Sequence, residues 1–133
     1  MNETTPRNPV SFDDRRAELS DLATRFVDTL TRRDIDDVMS FFAASAVYED
    51  AYCDRHEGLS AIRTAFEPVL DGRLGDIQFG ADDRFIDADD GKVMDSWRLR
   101  MHIGEGKERT LRGLDLLHLE GNKLVRKITY KQD

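Results

Sequence analysis

An α+β domain is what this chain predicts, and three observations carry the prediction. Apolar residues recur at helical spacing through the first half and alternate at strand spacing through the second. The later segments are divided by turn signals such as Asp87-Ala-Asp-Asp-Gly91 and Gly121-Asn122. Helices first and strands later, joined by hairpins, imply an antiparallel sheet with the helices gathered on one face. The 133 residues suit a single domain with a real core.

The elements follow in order. Residues 1–12 are expected as a flexible tail and 13–133 as one domain. Ser11 and Asp14 form a variant capping box. Leu19, Leu22, Ala23, Phe26, Val27 and Leu30 then mark an amphipathic helix that ends near Arg32-Arg33. Asp34 caps a shorter helix carrying Ile35, Val38, Met39 and Phe42. Ala46 to Tyr52 alternates as a strand, and Gly58 breaks the chain. Leu59, Ile62, Ala65, Phe66 and Val69 make a third helix, which Pro68 kinks or shortens. Ile77 and Phe79 lie in one strand and Phe85 in a second. Lys92 to Ile103 places Val93, Asp95, Trp97, Leu99, Met101 and Ile103 on one face. Gly104-Glu-Gly106 turns into Arg109–Leu119, and the last strand runs from Lys123 to Lys131.

Composition excludes several classes. A net charge of -7 argues against a broad basic surface for nucleic acid or anionic lipid. No apolar run approaches the ~20 residues of a membrane span, and the first ten residues lack the apolar stretch of a signal peptide. The single cysteine, Cys53, suits a reducing compartment, so a cytoplasmic protein is expected. His56, His102 and His118 have no ligand spacing, and neither a phosphate-binding loop nor a nucleophile elbow is present, so no metal or cofactor is expected.

Asp115 is the residue that points to chemistry. On a strand it shares its face with Leu111, Gly113, Leu117 and Leu119, a carboxylate alone in an apolar row with no opposite charge on that face. Burying an unpaired carboxylate costs several kcal/mol, so such a group is paired, protonated or functional. Asp95, near the hairpin turn, reads as a rim residue, with a third pocket acid as the alternative. Trp97 reads as core packing or as a wall that stacks on a flat ligand. Arg98, Arg100 and His102 occupy the opposite face, and Cys53 reads as an inert thiol.

The order helix-helix-strand-helix-strands, with Asp34-Ile-Asp-Asp-Val-Met-Ser-Phe-Phe-Ala43, Val47-Tyr-Glu-Asp50, Gly58 and the closing stretch Gly113 to Tyr130, resembles the NTF2-like superfamily. Within it the chain is similar to the SnoaL-like and ketosteroid-isomerase-like proteins, from about Leu19 to Asp133. The resemblance implies an NTF2-like cone, a curved antiparallel sheet wrapped by three helices of the N-terminal half around an apolar pocket. It implies Asp50 as general base and Asp115 as a neutral oxyanion donor. Where those isomerases place a tyrosine as principal oxyanion donor this chain has Phe26, and where two further tyrosines support it by hydrogen bonding it has Phe42 and Phe66, so all three hydroxyls are absent. Phe26, Phe42, Tyr48, Phe66, Trp97, Leu99 and Met101 are then expected to line the pocket.

Three readings follow. The first is an isomerase, cyclase or dehydratase that needs no cofactor and acts on a small apolar carbonyl compound. Epoxide hydrolysis is a variant that uses an Asp-Arg-Asp arrangement in one branch of the superfamily; Asp95 and Arg98 fall on opposite faces and do not supply it. The second is a non-catalytic ligand-binding protein. The third is an interaction module whose cavity is filled by its own aromatic rings. The superfamily commonly pairs through the outer side of the sheet, so a homodimer is expected.

Overall fold

A computed structural model of the chain describes residues 12–102 and 104–132. Among these the order is α1 (Phe12–Thr31), α2 (Ile35–Ser40), β1 (Phe42–Glu49), β2 (Arg55–Glu57), α3 (Leu59–Leu70), β3 (Asp76–Asp87), β4 (Lys92–His102), β5 (Glu108–Glu120) and β6 (Lys123–Gln132). Ser11 and all of the expected tail except Phe12, where α1 begins, lie outside the described residues. The strands form one sheet in the order β2-β1-β6-β5-β4-β3. Neighbours are antiparallel except β1 and β6, which run parallel. A parallel pair needs a long crossover, and everything from α3 to β5 supplies it.

Local chemistry sets the boundaries. The Asp34 side chain accepts a hydrogen bond from the Asp37 amide and caps α2. The Phe41 amide closes that helix on Val38 and Met39, and the Phe41 carbonyl accepts from the Leu124 amide. Phe42 therefore opens β1 rather than extending α2. Pro68 lies inside α3, which continues for two residues beyond it. The two strands expected between Asp76 and Asp87 are one strand with a register shift between Ala81 and Arg84. The extra residue of such a bulge re-aims the side chains that follow. Ile77, Phe79 and Ala81 face the helices before the shift, and Arg84 and Ile86 pair opposite the inward residues Asp95 and Val93 after it.

The helices cover the concave face of the sheet. Leu19, Leu22, Ala23, Phe26 and Leu30 of α1 are buried with Val38, Ile62, Phe66, Val93, Leu117, Leu119 and Leu124 in one core. The rings there interlock. Phe26 and Phe42 meet edge-to-face at 5.7 Å, and Phe66 stacks on Tyr48 at 4.8 Å. Ile77, Leu99 and Met101 form a smaller cluster, against which Trp97 and Leu111 pack. Trp97 lies directly across Gly113, where an added Cβ would stand 2.4 Å from its ring and 2.2 Å from the Tyr130 carbonyl oxygen. Gly113→Ala is expected to lower stability by about 1–3 kcal/mol through overpacking. Denaturant unfolding checks this, and Trp97→Leu in the same background should recover only the part due to the ring.

Candidate functional site

The concave face carries a row of charges. Register places Arg84 opposite Asp95, Asp95 opposite Asp115, and Asp115 opposite Thr129. Lys127 lies two residues before Thr129 on β6 and points to the same side. Four strands thus contribute to one lateral band within an otherwise apolar enclosure.

Asp115 is paired, contrary to the expectation of a lone acid. Its Oδ1 accepts from the Thr129 hydroxyl at 2.7 Å and lies 3.4 Å from Lys127 Nζ. Lys127 Nζ also donates to Thr129 Oγ1 at 2.7 Å and sits 4.5 Å from the Tyr48 ring centroid. Lys127 is only 3% exposed, while the Asp115 side chain keeps 14%. Burial alone would lower the Lys127 pKa. The Asp115 charge, with a smaller contribution from Tyr48, outweighs burial and holds the ammonium above its ordinary 10.5. Oδ1 therefore acts as the acceptor in both contacts, and the partners that the apolar row lacked come from the next strand.

Asp95 is buried rather than at the rim, at 4% exposure. Arg84 grips it through both oxygens, Nε to Oδ1 at 2.6 Å and Nη2 to Oδ2 at 3.0 Å. The remaining nitrogen, Nη1, reaches Thr24 Oγ1 at 2.7 Å and the Ser20 carbonyl at 2.8 Å. Two carboxylates directly opposite on adjacent strands would repel. Here each has its own cation, and the band Arg84, Asp95, Asp115, Lys127 sums to zero.

Asp50 lies just past β1. Its Oδ1 accepts from the Tyr52 and Asp54 amides at 2.9 and 3.1 Å, and its Oδ2 meets His56 Nε2 at 2.9 Å. Burial raises the Asp50 pKa, but the His56 bond and the two amides outweigh it and hold the carboxyl below its ordinary 3.8. Glu49 pairs with Ile128, so Asp50 falls beside Thr129. That is about two strand spacings, ~10 Å, from Asp115 along the sheet.

Of the residues expected to line a pocket, Phe26, Phe42, Tyr48 and Phe66 come together in the main core, and Trp97, Leu99 and Met101 lie in the smaller cluster. Tyr52 does not join them and is 75% exposed. Cys53 is exposed in the turn that follows Asp50. His118 lies on the face opposite Asp115, and burial between Lys92 and Arg126 lowers its pKa. Among the described residues no cluster of three His, Cys, Asp or Glu side chains could hold a metal ion, and no helix is long and apolar enough to cross a membrane.

Sequence reasoning missed Lys127, Arg84 and His56. Lys127 carried a signal: it falls in phase with Thr129, two residues before it on the same strand. Arg84 carried none, because the bulge before it reverses the alternation.

The SnoaL-like domain model matches residues 23–127. The chain belongs to the SnoaL-like family. Several solved structures share the fold. One is an NTF2-like protein of unknown function from Mesorhizobium loti, at 20% identity and a TM-score of 0.75, covering 95% of this chain and 98% of that one. A second is SalBIII, an epoxide hydrolase/cyclase-like enzyme of pyran ring formation in the polyether salinomycin, at 16% identity and 0.76, covering 87% and 92%. A third is a protein with a ketosteroid isomerase-like fold from Catenulispora acidiphila, solved in complex with trimethylamine, at 16% identity and 0.70, covering 82% and 83%. No curated protein sequence matches the chain. At these identities the solved structures establish the NTF2-like fold.

Proposed function

We propose that this SnoaL-like protein is an acid–base enzyme for a small, mostly apolar carbonyl compound, acting as an isomerase, cyclase or dehydratase with groups of its own chain. The observation that carries the reading is the buried pair of Asp115 and Lys127 on the concave face. Asp95 has an evident structural task, since its arginine ties α1 to the sheet. Asp115 ties nothing to a helix, and it is the more open of the two carboxylates.

The chemistry follows from charge. Asp115 Oδ1 is engaged, which leaves Oδ2 to take a proton from the carbon beside a carbonyl. The electron pair of that C–H bond becomes the enolate, and negative charge passes from the carboxylate to the substrate oxygen. The Lys127 ammonium stays in place and attracts the charge in either position, a preorganised field in a water-poor site. Asp50, which follows β1 and falls beside Thr129, was expected to be the base. Its oxygens are occupied by two amides and a histidine, so the base's role passes to Asp115. Opening an epoxide with water is a variant of this reading, favoured by the Arg84–Asp95 pair that faces Asp115.

Exchange of α-protons for deuterium in small cyclic ketones, followed by NMR, tests the proposal. Wild type should accelerate exchange, and Asp115→Asn, folded by circular dichroism, should lose on the order of 10²-fold or more of that acceleration. No acceleration by wild type on any ketone in the series would end the enzyme reading.

A second reading, a ligand-binding or dimeric interaction module, has its own support. Phe26, Phe42, Phe66 and Tyr48 fill much of the concave side with one another. The convex face carries an apolar row in exact register across four strands, Phe85, Met94, Leu116 and Ile128, with Phe85 66% exposed. A cleft of about 710 Å³ lies on the sheet among Ser96, Arg98, Leu114 and Tyr130. A homodimer would cover this face and bury more than ~1,000 Å². Leu116→Arg should then shift the protein to monomer in sedimentation at micromolar concentration; a wild-type monomer there removes the dimer. The exposed Cys53 thiol suits the reducing cytoplasm, which we carry as the location.

A further inference from the structure

Resting on the reading of Asp115 as the proton carrier, we infer that His56 is the second proton-transfer group of the site, that Asp50 is its positioning residue, and that the substrate is a hydroxy-carbonyl compound. Tyr48 of β1 pairs with His56 of β2, and their rings lie 5.6 Å apart. The Tyr48 ring also meets Phe66 at 4.8 Å and the Lys127 ammonium at 4.5 Å. The imidazole therefore borders the same aromatic wall as the Asp115–Lys127 pair. It is half-buried, and it is fixed by an aspartate that is itself fixed by two backbone amides.

Asp50 settles the tautomer. A carboxylate accepts hydrogen bonds, so His56 Nε2 carries the proton that Asp50 Oδ2 receives. Nδ1 then holds a lone pair. It takes the proton of a substrate hydroxyl, the electron pair of that O–H bond stays on the oxygen, and the imidazolium that forms keeps its Nε2–H on Asp50. The carboxylate stabilises the new positive charge without accepting the proton, the division of labour seen wherever a carboxylate backs a catalytic histidine. Asp115 and His56 are separated by three strand spacings, ~14 Å across the strands, and by two residues, ~7 Å, along them. A ligand must therefore present a hydroxyl at one end and a carbonyl at the other, on a frame of one or two rings.

The test uses para-hydroxybenzylacetone, a phenol with a ketone at the far end, and its methyl ether as control. Calorimetry on wild type should show the phenol binding at least tenfold more tightly. His56→Gln, which keeps a donor for Asp50, should bring the ratio to near one. Asp115→Asn should keep the phenol preference while losing α-proton exchange, so the two assignments fail separately. Long-range proton–nitrogen NMR should find hydrogen on Nε2 of His56 in wild type and on Nδ1 in Asp50→Asn, whose amide donates where the carboxylate accepted. Equal binding of phenol and ether, no binding of either at millimolar concentration, a preference that survives in His56→Gln, or hydrogen on Nδ1 in wild type would each overturn the inference.

Discussion

Lys127→Met should cost about 3–5 kcal/mol of stability, because it strips the partner from a buried carboxylate while leaving the carboxylate in place. For a domain whose total stability is ~5–15 kcal/mol this is a large share. The cost is one of stranding. Thr129 donates to Asp115 and accepts from Lys127, so the three side chains form one unit. Replacing all three together, as Lys127→Met, Asp115→Leu and Thr129→Val, removes every polar group that needs a partner. That variant should recover most of the loss and can exceed wild type. Urea unfolding of the single and triple variants measures both. A triple variant as unstable as the single one would mean that the loss came from packing and not from the stranded charge. The pH dependence has a definite sign. Lys127 has a folded pKa above its ordinary 10.5, so its contribution is fully present below that value and is lost as pH rises through the raised one. Wild type should therefore lose stability in alkali more steeply than the triple variant.

The order of elements and the apolar faces were legible because both follow from spacing along one strand or helix. The row Leu111, Gly113, Asp115, Leu117 and Leu119 was read from alternation alone, and it does face the helices. What alternation cannot supply is who stands on the next strand. The pairing of Asp115 with Lys127 depends on the β5–β6 register, which shifts at His118 and Leu119. The pairing of Asp95 with Arg84 depends on the bulge in β3. Both missed partners lie beyond an irregularity of this kind, which adds one residue and reverses which side chains point inward. The same arithmetic explains why Asp115 looked unpaired and Asp95 looked like a rim residue. Phe42 was assigned to α2 because its spacing from Val38 and Met39 is helical. The parallel pairing with β6, which claims it for β1, leaves no local mark in the sequence.

The two halves of the charged band differ in what they attach. Asp115 and Lys127 stay within the sheet, whereas Arg84 joins three elements, taking Asp95 of β4 in its fork and Ser20 and Thr24 of α1 on its remaining nitrogen. A helix that covers a concave face must be held at a fixed height above it, and a planar guanidinium does this in a way that a flexible ammonium cannot. The stabilising role of Arg84 and the reacting role proposed for Asp115 thus divide along the band, with the Asp95–Asp115 contact as the seam.

Arg84→Met is accordingly expected to lower the melting temperature by about 10–20 °C. Removing the guanidinium strands Asp95 at 4% exposure, which costs about 3–5 kcal/mol, and at this chain length each kcal/mol shifts the midpoint by several degrees. The variant also leaves the Ser20 carbonyl without the side-chain donor it has in wild type. Arg84→Lys retains the charge but not the fork, and should recover only part of the loss. The double variant Arg84→Met with Asp95→Leu removes the stranded carboxylate and should melt well above Arg84→Met alone. It also separates the two enzyme readings. Proton exchange driven by Asp115 and Lys127 should survive in the double variant, because neither residue is touched. Water attack on an epoxide, which would use the Arg84–Asp95 pair beside Asp115, should disappear. Calorimetric melting of the three variants measures the first set of effects. If Arg84→Met melts within a degree or two of wild type, the clamp between α1 and the sheet carries no stability, and the division of labour along the band is wrong.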